Sequence, residues 1–104
     1  MSVRAPDGLS PMSSAETSMD AIGQEILAEK AASLGHAGRK VELSLKRLRS
    51  HEGDGEKRMA LVSSAADAVY GYFVQRELCG FRRHDDVICD YKIPGEVLVR
   101  LGAR

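Results

Sequence analysis

Leu27, Ala31, Leu34, Gly38, Val41, Leu45 and Leu48 recur in alternating steps of four and three. That spacing lays one apolar stripe along an α-helix and has no counterpart in the two-residue repeat of a strand. Met19, Ile22 and Ile26 carry the stripe toward the N-terminus. Lys46, Arg47 and Arg49 fill the last turn, where the negative end of the helix dipole favours cations. Gly35 and Gly38 each weaken a helix by about 1 kcal/mol relative to Ala. The stripe nevertheless keeps its phase across both, so the spacing predicts one helix over about 18–49. Ser13 with Glu16 suits a capping box, and Thr17 or Ser18 offers a later N-cap with Asp20 in the first turn.

Ser50 to Gly55 is a turn by composition, with Asp54 placed to cap the next helix. That second helix is predicted over about 55–79. Met59, Val62, Ala66, Val69 and Phe73 mark one apolar face, and Leu61, Ala65, Ala68 and Tyr72 mark its neighbour. Gly80 stands where a left-handed residue would end the helix, and Phe81 is the apolar residue just beyond. So short a connection implies an antiparallel hairpin. Folding about Gly53 sets Leu45 near Leu61 and Val62, Val41 near Ala65 and Ala66, and Gly38 near Val69, with Tyr72 and Phe73 over Leu34 and Gly35. Two short C-terminal helices follow, over about 84–91 and 94–101, with Gly102 closing the second. The fold class is all-α, and the C-terminal helices are expected to cover the N-terminal surplus of the longer first helix.

At 104 residues the chain has room for one domain. The expected division is a disordered leader over 1–17, with Met12 as an alternative start, and a single all-α domain over 18–104. Fifteen Lys and Arg against fifteen Asp and Glu give no overall charge to attract nucleic acid or an anionic membrane. No apolar run reaches the roughly 20 residues of a membrane span. The first eighteen residues lack the apolar stretch of a secretory signal. Cys79 and Cys89, with no export signal before them, suit reduced thiols in the cytoplasm. The apolar arc of the second helix is wider than one antiparallel partner covers. Pairing of two hairpins into a four-helix bundle is the economical remedy, which makes a homodimer the expected assembly. Its interface is expected on Leu61, Ala65, Ala68 and Tyr72.

Three stretches bear on chemistry. Arg76, Arg82, Arg83 and His84 gather at the end of the second helix with Glu77, Asp85 and Asp86. They suit either an anion held by bidentate contacts or mutual pairing that pins the turn. The segment 84–104 has the outline of a helix-turn-helix, with Lys92 and Arg100 as its candidate nucleic-acid contacts. Lys92, however, occupies a turn position that usually wants Gly. A third stretch, Arg39, Lys40, Lys46, Arg47 and Arg49 against Glu42 alone, suits a polyanion, an acidic partner or a solvated face. Cys79, His84 and Cys89 lack the spacing of a zinc site, and no glycine-rich phosphate loop is present. His36 and His51 stand apart as surface residues. No catalytic residue, metal or cofactor is implied. The most economical function is therefore a non-enzymatic interaction or structural module. A nucleic-acid-binding regulator and a small-anion-binding protein are the alternatives.

The stretches LAEKAASLGHAGRKVE (27–42) and VYGYFVQRELCGFRRHDDVICDYKIPGEVLVRLG (69–102) resemble a family of small bacterial proteins of unknown function. The resemblance covers about half of the chain and implies a bacterial, cytoplasmic, single-domain protein. It carries no catalytic or binding residue across.

Overall fold

A computed structural model describes residues 14–102, with side chains from 18 onward. The chain divides into two compact units, one through Ala31 and one from Ala32. Among the described residues four helices follow in order: α1 (Ser14–Ser50), α2 (Glu56–Leu78), α3 (Asp85–Asp90) and α4 (Gly95–Leu98). Among the described residues there is no strand. The two long helices lie close to their predicted bounds, and α1 begins four residues earlier than the stripe required. Ser13 and most of the expected leader lie outside the described residues, so the capping box does too.

In the first unit, Met19, Ile22, Ile26 and Leu27 are 72, 55, 48 and 66% exposed. In the second, Val41, Leu45 and Leu48 of α1 meet Val62, Ala65, Ala66, Val69 and Tyr72 of α2 in one core. Val87, Ile93 and Val97, from the C-terminal segment, complete it. The apolar arc of α2 is wide because it serves two neighbours. Its Tyr72 side packs on α1, and α4 packs along its other flank. The C-terminal segment is thus spent on the hairpin of the second unit.

Gly38 has a packing reason that differs by about one helical turn from the predicted register. A methyl group there would lie 3.1 Å from the Tyr91 hydroxyl and 3.5 Å from Tyr72 Cε1, so Gly38 is a notch for two tyrosines. Their rings meet edge to face with centroids 5.7 Å apart. Burial first, and a hydrogen bond with Tyr72 next, push the Tyr91 phenol up to about 12. It therefore stays neutral wherever the protein is folded at ordinary pH. Gly35 has no such role: the nearest atom to a methyl there is 3.6 Å away, on the exposed side chain of Arg39 in the same helix.

The helix ends carry a second correction. Asp54 does not cap α2. Gly55 occupies the N-cap at φ 91° with no side-chain cap, a conformation open to glycine because it lacks Cβ. At the other end Gly80, at φ 98°, behaves as predicted. Phe81 N–H donates to the Arg76 carbonyl at 2.9 Å and Gly80 N–H donates to that of Glu77 at 3.0 Å. This crossed pair is a Schellman motif, which satisfies the carbonyls that the helix end leaves over.

α3 ends in the same motif. Ile93 N–H reaches the Ile88 carbonyl at 3.0 Å and Lys92 N–H reaches that of Cys89 at 3.1 Å. Here the left-handed residue is Lys92, at φ 53°. A side chain at that position opposes its own carbonyl. Lys92→Gly is therefore expected to raise the unfolding free energy by about 0.5–1 kcal/mol. A urea titration reads it: the midpoint should rise, and a lower midpoint would show that the Lys92 side chain stabilises the turn.

Candidate functional site

The densest polar cluster lies where α2 hands over to α3. The Schellman turn brings Phe81 back over the last turn of α2, so the residues that follow run past Arg76. Arg76 is only 6% exposed, although its charge would favour water. Its guanidinium lies 4.5 Å from the Phe81 ring centroid and 5.9 Å from that of Tyr72. In a Schellman motif this pair of positions usually makes an apolar contact; here a cation on an aromatic face replaces it. Nε donates to His84 Nδ1 at 3.0 Å. Nη2 donates to the Arg83 carbonyl at 2.9 Å and to Asp86 Oδ1 at 3.2 Å.

Those bonds fix His84. Because Nδ1 accepts from Arg76, the ring proton sits on Nε2, which donates to Glu77 Oε2 at 3.0 Å. The ring stacks on Phe73, with centroids 4.1 Å apart and planes 5° from parallel. Asp86 Oδ1 also accepts from Val87 N–H at 2.9 Å, in the first turn of α3. Arg76 and His84 are thus partners of one another, and the cluster ties α2, the turn and α3 together.

Arg83 points outward and pairs with Asp85 at 2.7 Å. That carboxylate, through its hydrogen bond first, holds the guanidinium pKa above its usual value. Arg82 is exposed and lines a shallow hollow with Phe81, Gly80 and Glu77. Three of the four candidate anion ligands, Arg76, Arg82 and Arg83, line one open hollow of about 520 Å³, which Asp85 and Asp86 share. Of the four, two are turned inward with satisfied hydrogen bonds, one is engaged by an acid, and Arg82 faces solvent.

The candidate nucleic-acid residues lie in different segments. Lys92 lies in the turn between α3 and α4, and Arg100 lies past the end of α4, half-buried beside Arg58, Met59 and Val99. α4 is one turn long, four residues where eight were expected. Its Glu96 is paired with Arg58 of α2. Sequence reasoning missed a further cation at this end. Arg49 Nη2 donates to the Tyr91 and Lys92 carbonyls at 2.7 and 3.0 Å, which caps α3 from α1. Its place in a basic run concealed that role.

The interface expected on Leu61, Ala65, Ala68 and Tyr72 needs correction. Ala65 and Tyr72 are buried in the core, and Leu61 and Ala68 are packed against its edge. Tyr72 packs beside Gly38 of α1 and edge to face with Tyr91, so this stripe is already engaged within the chain. Beside Ala68, a groove of about 260 Å³ runs between α1 and α2, lined by Ser33, His36, Ala37, Lys40 and Gly71 among others. Cys79 is partly buried and Cys89 exposed, both as free thiols. Among the described residues no three His, Cys, Asp or Glu side chains gather as a metal site. No described helix is long and apolar enough to cross a membrane.

No curated protein and no solved structure matches the chain. A family model does, over residues 1–104, and the chain belongs to that family of unknown function (DUF6665).

Proposed function

We propose that the chain is a non-enzymatic protein–protein interaction module that works as a homodimer. The observation that carries this reading is the exposure of Met19, Ile22, Ile26 and Leu27, each about half or more open to water. Single exposed apolar residues are ordinary, whereas four within nine positions of one helix form a patch that association would bury. Met19, Ile22 and Ile26 follow steps of three and four, which sets them on one side of their helix. The polar cluster at Arg76 fits the same reading, since its buried members are occupied in holding the turn. The two free thiols suit a reducing compartment such as the cytoplasm.

Light scattering behind size exclusion tests the assembly. The expected mass is that of two chains at micromolar concentration. The mass of one chain across that range would overturn the reading.

A further inference from the structure

We infer that the hollow between the start of α2 and the end of α4 binds a free aliphatic α-amino acid, a role that stands whether or not the chain dimerises. The hollow lies wholly within the unit from Ala32 onward. Its volume is about 400 Å³, within the roughly 300–1,000 Å³ of small-molecule sites. Among the described residues, four charged side chains line it: Asp54, Arg58, Glu96 and Arg100. Arg58 and Glu96 are paired with each other, so together they offer a ligand no net charge. That leaves Asp54 and Arg100. Among the described residues neither has a hydrogen-bond or ion-pair partner, although they carry opposite charges and line the same hollow.

The rest of the lining is apolar. Val62 belongs to the core, whereas Met59 and Val99 are 57 and 80% exposed, and an occupant would shield both from water. Arg100 is half-buried, as suits a side chain whose stem lies on apolar surface while its guanidinium keeps its donors free. One cation, one anion and an apolar wall are thus left without partners, and together they define the ligand. A simple anion would satisfy Arg100 but bring a second negative charge to Asp54. A purely apolar molecule would strip water from both charges and replace none of their hydrogen bonds. An aliphatic α-amino acid serves all three. Its carboxylate fits the fork of Arg100, its ammonium pairs with Asp54, and its side chain covers Met59, Val62 and Val99. All three groups leave a single carbon, so one small molecule carries them into one hollow.

Isothermal titration calorimetry of the full chain with L-leucine tests the site. Leucine should bind, and removing any one of its three groups should weaken binding about tenfold or more. Leucinamide lacks the carboxylate, N-acetyl-leucine lacks the ammonium, and glycine lacks the side chain. Arg100→Met, which keeps an apolar stem, and Asp54→Asn should each weaken leucine by a similar factor. Both variants should keep urea midpoints near wild type, since neither side chain holds another in place. Each variant should also lose one discrimination: Arg100→Met should bind leucine and leucinamide alike, and Asp54→Asn should bind leucine and N-acetyl-leucine alike. Absence of heat and of any rise in melting temperature at millimolar leucine overturns the site. Leucine binding that survives both substitutions does so too. N-acetyl-leucine binding wild type as tightly as leucine does would overturn the amino-acid assignment, because the ammonium would then have no partner.

Discussion

Replacing Arg76 with Ala is expected to lower the unfolding free energy by about 2–4 kcal/mol. Three hydrogen bonds end on this guanidinium, and their partners do not all regain water when it goes. Asp86 is largely exposed and rehydrates. His84 Nδ1, on a side chain only 13% exposed, is left without a donor. The slot between Tyr72 and Phe81 empties as well. Each kcal/mol corresponds to roughly 4–8 °C in the melting temperature of a domain this size, so calorimetry or a urea titration resolves the loss. Arg76→Lys should recover only a minor part, because an ammonium keeps the charge without the planar fork that reaches three acceptors. Arg83→Ala, which removes an exposed pair from the same cluster, should leave the midpoint unchanged. An Arg76→Ala midpoint equal to wild type would show that the cluster does not hold the turn, and would return these residues to the list of ligand contacts.

Val97→Asp is expected to do more. Val97 is fully buried although it sits on a helix of one turn. A carboxylate there costs several kcal/mol whether it stays charged or takes up a proton. A small domain has about 5 kcal/mol to lose. The unit from Ala32 onward should therefore lose its cooperative transition at 25 °C, seen as a flattened urea profile in far-UV circular dichroism. A transition that persists near the wild-type midpoint would mean that α4 comes away while the hairpin stays folded. The contrast between a very short helix and a complete burial makes this substitution informative: helix length says little about how much of the core a segment supplies.

What the sequence discloses here follows from what periodicity measures. A stripe in steps of three and four places both helices, and on α1 it marks the covered side from Leu34 onward, whereas Leu27 on the same stripe is exposed. Glycine with an apolar successor marks the end of α2, because the left-handed position and the residue after it are local requirements. The helix-turn-helix outline places a turn at Lys92 and counts the lysine there as a misfit, and the structure accepts that left-handed residue. Periodicity does not say which neighbour covers a face. The stripe Leu61, Ala65, Ala68 and Tyr72 is legible as apolar, yet only the fold shows that it belongs to a core shared with α1 and the C-terminal segment. Long side chains are the least legible of all. Arg49 closes the end of α3 across 42 residues of sequence, and Arg76 turns inward among aromatics. Nothing in a run of cations distinguishes those two from the arginines that remain in water.

The placement of Val87, Ile93 and Val97 bears on how the protein is made. These three core residues lie in the last fifth of the sequence. During synthesis α1 and α2 leave the ribosome first, and chains begin to fold from that end. The hairpin then waits with one flank of α2 uncovered until residues 87–97 have emerged. In that interval the nascent chain offers an apolar surface that the finished protein conceals.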